Sequence, residues 1–302
     1  MSGTESLQVK QFLQQESLPP AYRDTISRWW MPLVQVLQQR LAGSDGTMVL
    51  GITGAQGTGK STLARFLAEH LTGLGQRCLA VSLDDFYLGH RQRELLAEKV
   101  HPLLASRGVP GTHNLTQLRN FCKKIQETAP SRECVPRFDK ANDDPRPRDQ
   151  WLTVDLPVDL VIVEGWFLGV APQRAAALET PVNDLEKQED ADRRWRSFVN
   201  TRLQEYQPLF QALDYLVMLQ APSFDCVYRW RRLQEAKLIA SNAAGKGIMN
   251  RQQLDRFIQH FERLTRHCLT TLPATADVVF SLDDHQTIQN AYYRRLPLTP
   301  SF

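Results

Sequence analysis

The chain has 302 residues, 42% of them hydrophobic and 23% charged, with a formal net charge of +3. This is ordinary globular composition, long enough to bury a substantial core, and the small positive surplus argues against a nucleic-acid binder without repelling an anionic small molecule. Five scattered cysteines (Cys78, Cys122, Cys134, Cys226 and Cys268) with no C-x-x-C pair argue against a disulfide framework and a zinc site, and suit a reducing cytosol.

The N-terminal stretch "MSGTESLQVKQFLQQESLPP" is polar and has no apolar leader core. No apolar run approaches the roughly 18 residues of a membrane helix. The expectation is a soluble, cytoplasmic protein. Residues 1–46 read as a helical extension, with Trp29, Trp30, Leu33 and Leu37 on its apolar side. Five short, continuous apolar runs follow: "MVLGIT" (48–53), "CLAVSL" (78–83), "LVIV" (160–163), "YLVML" (215–219) and "DVVFSL" (277–282). Continuous rather than alternating hydrophobicity predicts strands covered on both faces, as in a parallel sheet. Between them, Leu63, Phe66, Leu67 and Leu71 mark one helix, and Leu254, Phe257, Ile258, Phe261, Leu264 and Cys268 mark another at three-and-four spacing. Strands alternating with helices predict an α/β fold, a doubly wound, mainly parallel sheet with helices on both faces. Two stretches break the rhythm. Residues 130–150 are rich in proline and charge and leave an ordered or a disordered loop open; residues 171–194, ending in "LEKQEDADRR", read as a solvated helix or linker. With no internal repeat, 1–302 is expected to be a single domain with insertions.

The first strand runs directly into "GAQGTGKST", which fits G-x-x-x-x-G-K-[ST]. Residues Gly54, Ala55, Gln56, Gly57, Thr58 and Gly59 can fold tightly enough for successive N–H groups to face phosphate oxygens. Thr62 lies in the first turn of the helix beyond, whose N-terminal dipole adds to the same anion site. Lys60 is expected on the β- and γ-phosphates and the Ser61 hydroxyl on Mg²⁺. A nucleoside triphosphate is therefore the expected ligand. The chain has no N-K-x-D guanine-reading motif, which lowers the switch GTPase reading, and no transporter ATPase signature; the rest of the chain must decide between kinase, GTPase and mechanical ATPase.

Ligands in open α/β sheets bind beyond the carboxyl ends of the strands. Two further apolar runs deliver polar groups there: "VSL" into Asp84-Asp85-Phe86-Tyr87, and "LVIV" into Glu164-Gly165-Trp166. A carboxylate at that edge can accept the proton of an attacking hydroxyl, and another can hold Mg²⁺ directly or through water. Asp85 and Glu164, with Ser61, are the candidate metal ligands; Glu164 and Lys60 join the candidate catalytic set.

The motifs "GITGAQGTGKST", "SLDDFYL", "RGVPGTH" (107–113), "VPRFDKA" (135–141) and "VIVEGWFLG" (161–169) together resemble the plant-type glycerate kinases and their fungal and bacterial relatives. These stand within the P-loop fold group of uridine kinase, phosphoribulokinase and bacterial pantothenate kinase. The resemblance spans about residues 48–295, with the motifs in the same order. It implies ATP-dependent transfer of phosphate to a hydroxyl of a small molecule, D-glycerate first among the acceptors, with ATP and Mg²⁺. It also implies Asp84 as the base and Tyr87 along the acceptor pocket. By the same resemblance, Arg137, Asp139 and Lys140 sit near the substrate, where a cation would suit a carboxylate. His113 is open between a structural role and a substrate contact. The family's pattern has Asp after P-G-T-H where this chain has Asn114, and a helix N-cap role accommodates either residue.

Last, "FDCVYRWRRLQEAK" (224–237) carries Arg229 and Arg232 three residues apart, on one helical face. The resemblance implies that such arginines close over ATP as a lid spanning 224–250, with Gly245 and Gly247 a possible hinge. The alternatives are a kinase for another metabolite (a nucleoside, a pantothenate-like compound or a sugar acid) and a nucleotide-binding regulator without catalysis. Neither a nucleic-acid partner nor a membrane is expected; monomer and homodimer are both open.

Overall fold

The computed structural model describes residues 3–240 and 251–294. Among the described residues, the strands in chain order are β1 (Met48–Gly54), β2 (Cys78–Ser82), β3 (Ser131–Val135), β4 (Phe138–Asp139), β5 (Asp144–Pro145), β6 (Leu152–Leu156), β7 (Leu160–Gly165), β8 (Tyr215–Gln220), β9 (Val278–Leu282) and β10 (Ile288–Tyr293). Six of them form one sheet in the order β10-β9-β8-β1-β7-β2. Its neighbours are parallel from β2 to β9, and only β10 runs antiparallel, against β9. All five predicted apolar runs lie in this sheet, the α/β P-loop architecture expected.

Burial explains why those runs are continuous. Every residue of β1 and β7 is buried, because helices cover both faces. Alternate side chains serve opposite layers. Leu50, Ile52, Leu160 and Ile162 pack with Phe12, Trp30, Leu33 and the helix Lys60–Gly73. Val49, Val161 and Val163 pack on the other side with Leu118, Tyr206 and Phe261. β2 is the sheet edge, and its residues alternate between half-buried and buried.

The N-terminal extension is helical over Gly3–Gln15 and Met31–Ala42, joined by a π-helical turn at Ile26–Trp30. Its aromatic residues dock on the phosphate-loop helix, Phe12 and Trp30 lying 5.3 and 5.1 Å from the Phe66 ring. The loop at 130–150 is ordered: β3 pairs with β6, and β4 with β5, as two antiparallel ladders.

The segment 171–194 is not merely a solvated charged linker. Its helix Asp184–Glu189 buries Glu186, whose carboxylate is held by Arg263 at 2.7 Å. Asp190 is likewise buried against Arg196 at 2.8 Å and caps the backbone N–H groups of Trp195 and Arg196. Acids can be buried when an arginine answers them and their remaining lone pairs are filled. Among the described residues, no helix is long and apolar enough to cross a membrane. The possible hinge at Gly245 and Gly247 lies outside the described residues.

Candidate active site

β1 ends at Gly54, and the chain turns at once into the helix Lys60–Gly73. Gly57 and Gly59 make the turn possible, with φ of +82° and +92°, a region costly for residues with a Cβ. Thr58 Oγ1 donates to the Ala55 carbonyl at 2.9 Å, and Lys60 Nζ donates to the same oxygen at 3.0 Å. The lysine thus lies folded across its own loop. Burial holds it below the ordinary lysine pKa, with the Glu164 and Asp84 carboxylates opposing that shift.

Strand register brings the acids to this loop. Glu164 on β7 sits opposite Ile52 on β1 and Ser82 on β2, so three strand ends finish at one level. Ser61 Oγ, in the first turn of the phosphate-loop helix, donates to Glu164 Oε1 at 2.9 Å. A hydroxyl and a carboxylate this close are two oxygen donors for a hard cation, which typically takes its other ligands from waters and phosphates.

After Ser82 the chain enters one turn of 3₁₀ helix, Leu83–Phe86, with Leu83 and Phe86 buried beneath it. Successive side chains on such a turn diverge by about 120°, and the two aspartates part accordingly. Asp84 faces the cavity: its Oδ1 accepts the Tyr87 hydroxyl at 2.8 Å and its Oδ2 the Lys140 ammonium at 2.7 Å. Burial opposes ionisation of Asp84, but Lys140, aided by Tyr87, outweighs it and holds the carboxyl below the usual range. Asp85, a predicted metal ligand, is turned elsewhere. It accepts Arg137 at 2.6 Å and the Phe138 N–H at 3.1 Å, fastening the β4 loop rather than joining Ser61 and Glu164.

A cavity of about 1010 Å³ unites Lys60, Ser61, Asp84, Tyr87, Lys140 and Glu164. Gln56 and Gly57 of the phosphate loop also border it, and Trp166, Phe257 and Phe261 form an aromatic wall. From the "PRFDK" stretch only Lys140 arrives. Arg137 is taken by Asp85, and Asp139 turns back on its own loop to accept the Ala141 and Asn142 N–H groups.

Two cavity arginines escaped sequence reasoning. Arg107, from the quoted "RGVPGTH" stretch, reaches the wall, ion-paired to Asp143 and 5.5 Å over the Phe138 ring. The fully buried Arg93 grips the same Asp143 at 2.8 Å, so the turn between β4 and β5 is clamped from two sides. On the helix Phe224–Ala240 it is Arg231, not Arg229 or Arg232, that borders the cavity. Arg229 pairs with Asp284 at 2.8 Å, and Arg232 lies over the Tyr228 ring. Spacing put two arginines on one face, but that face is docked away from the site. A residue two places on from Arg229 projects roughly 200° round the helix.

His113 is 3% exposed, stacked on the Tyr87 ring at a centroid distance of 4.4 Å. Its Nδ1 meets the Tyr206 hydroxyl at 2.8 Å, and that oxygen also accepts the Gly111 N–H. Assigning the Tyr206 proton to Nδ1 leaves no hydroxyl proton unpaired, and it places the imidazole proton on Nε2, which has no partner. Burial lowers the His113 pKa to about 3, so the ring is neutral at physiological pH. Asn114 Oδ1 accepts the Gln117 N–H at 3.1 Å and caps the helix Leu115–Ile125. Asn114→Ala is expected to cost about 1 kcal/mol, and Asn114→Asp to be nearly neutral. Thermal melts read the first as a fall of roughly 2–3 °C.

No family model matches the chain. It is 33% identical over 242 residues to a Schizosaccharomyces pombe protein named "Uncharacterized kinase mug58", spanning 76% of this chain and 83% of that one. A Saccharomyces cerevisiae protein named "Probable ATP-dependent kinase TDA10" is 32% identical over 270 residues, 83% of this chain and 90% of that one. Among solved structures, a D-glycerate 3-kinase from Cryptococcus neoformans superposes with a TM-score of 0.70 at 26% identity, covering 87% of this chain and 98% of its own. With its phosphate loop and strand-end acids in place, the chain belongs to this family of P-loop, ATP-dependent kinases, enzymes that transfer phosphate to a hydroxyl.

Proposed function

We propose that the enzyme uses Mg-ATP to phosphorylate a small hydroxy acid, D-glycerate first among the candidates, giving 3-phosphoglycerate. The observation that carries this reading is the pairing, in one cavity, of a phosphate loop with a carboxylate and two cationic side chains, Lys140 and Arg107. Arginine and lysine beside an acceptor pocket suit a substrate carboxylate. A relative of similar fold is itself a D-glycerate 3-kinase.

In this reading Asp84 orients the acceptor hydroxyl and takes its proton. Two of the roughly four lone-pair sites of a carboxylate are filled by Tyr87 and Lys140, and the others are open to a substrate. Lys60 bears charge on the transferring phosphoryl, and Arg231 borders the same cavity. Ser61 and Glu164 would hold Mg²⁺, which when bound neutralises phosphate charge.

The test is ADP release from Mg-ATP with D-glycerate, uridine, pantothenate and ribulose 5-phosphate as separate acceptors. D-Glycerate should give the highest kcat/KM. Glycerol, which keeps hydroxyls but lacks the carboxylate, should fall by about a hundredfold or more, the worth of one to two charge-assisted hydrogen bonds. Equal turnover of glycerol and glycerate, or preference for a nucleoside, would overturn the assignment.

A further inference from the structure

The turn between β9 and β10 does something that no sequence motif announced. Gln286, at its tip, donates from Nε2 to the Gly57 carbonyl of the phosphate loop at 2.5 Å. The donor is held ready for that contact. Asp283 accepts the His285 and Thr287 N–H groups and the Gln289 amide, which fixes the turn, and Gln286 sits at a positive φ of 66°. The neighbouring Asp284 is tied to the helix Phe224–Ala240: its carbonyl accepts Trp230 Nε1 at 2.8 Å and its carboxylate pairs with Arg229. Trp230 in turn packs on Gly57, where an added Cβ would stand 3.2 Å from the Trp230 Cβ.

A trans peptide carries its C=O and N–H on opposite sides. If the Gly57–Thr58 peptide rotated, its carbonyl dipole would turn toward the phosphates and the Thr58 N–H would leave the Ala55 carbonyl, to which it donates at 3.3 Å. Such a rotation changes ψ of Gly57, where the absence of a Cβ lowers its cost, together with φ of Thr58. Ala55 holds the N–H side of this peptide plane, and Gln286 is the side chain that grips its carbonyl from outside the cavity.

We propose that Gln286 is a positioning residue for nucleotide binding, a latch that keeps the Gly57 carbonyl turned out of the phosphate cradle. It touches no substrate and acts through the loop's backbone. The Arg229–Asp284 and Trp230–Asp284 contacts anchor the same latch to the helix that brings Arg231 to the cavity.

The experiment compares Gln286→Ala with Gln286→Lys, which keeps a donor of similar reach, and with Gln289→Ala, which loosens the turn without touching the loop. ATP and ADP dissociation constants come from calorimetric titration, and KM for ATP and kcat from glycerate-dependent ADP release. Gln286→Ala should weaken ATP and ADP about tenfold, the value of one lost hydrogen bond that holds a binding geometry. KM for ATP should rise in parallel with kcat within twofold. Gln286→Lys should stay within threefold of the parent, and Gln289→Ala should bind ATP as the parent does while melting lower. Parent-like ATP affinity in Gln286→Ala overturns the proposal, as does an equal loss in Gln289→Ala, which would reduce Gln286 to a support of the turn. The titration requires no acceptor, so its outcome is independent of whether glycerate is the substrate.

Discussion

Replacing Asp84 by asparagine should lower kcat by about 10²–10⁴, the range for losing a general base, while the ATP dissociation constant stays within about twofold, as for a group acting on the acceptor rather than the nucleotide. The carboxylate borders the cavity, where it accepts hydrogen bonds from Tyr87 and Lys140. An amide at this position cannot take a proton, and it offers one accepting oxygen where Asp84 uses two, for Tyr87 and Lys140. Single-turnover phosphate transfer alongside ATP titration separates the two effects. Full activity in Asp84→Asn would sink the base assignment. Asp85→Asn is the internal control: it loosens the Arg137 and Phe138 contacts and should disturb stability more than chemistry.

The pH dependence follows from the same contacts. Burial favours the neutral Asp84 carboxyl, yet Lys140 and Tyr87 hold its pKa below the usual carboxylate range. The acid limb of kcat/KM should therefore lie low, with activity lost only as pH falls through that depressed value. In Lys140→Met the ammonium is gone while burial remains, so the limb should move to higher pH. A strongly basic carboxylate is not required here, because phosphoryl transfer depends mainly on positioning and charge stabilisation. A pH profile unchanged in Lys140→Met would show that another group controls the limb.

How much of this was legible beforehand depends on how local each feature is. The phosphate loop is written in consecutive residues, and its strand-to-helix context is visible in the apolar pattern on either side. The strand-end acids were legible because a parallel sheet collects its carboxyl ends on one edge, and register then set Glu164 beside Ser61. Asp84 could be separated from Asp85 because adjacent side chains must diverge. The failures involve docking. Arg231 differs from Arg229 only in which helix face meets the cavity, a choice made by Asp284, which lies 55 residues away from Arg229. The charged run at 184–190 looked solvated because the arginine that answers Glu186 lies 77 residues downstream. Arg107 stood in a quoted motif, but its place on the cavity wall depends on Asp143, brought there by a hairpin that proline and charge had disguised.

Lys60→Ala should damage binding and turnover together, lowering kcat by about 10²–10³, as when one donor aimed at developing charge is removed. Lys60 is half-buried, with its ammonium on the Ala55 carbonyl and the Glu164 and Asp84 carboxylates acting on it. Without it, the Glu164 and Asp84 carboxylates would lose a cation that offsets them in the cavity. The loss of affinity should be greater for ATP than for ADP, because the β- and γ-phosphates are the groups a P-loop lysine reaches. Titrations with both nucleotides measure the difference. Lys60→Arg should not restore the activity: a planar guanidinium is larger than an ammonium and is not a point charge, and the lysine lies folded against its own loop. Equal losses for ATP and ADP would place the lysine away from the γ-phosphate. Parent-like turnover in Lys60→Ala would remove it from the chemistry altogether.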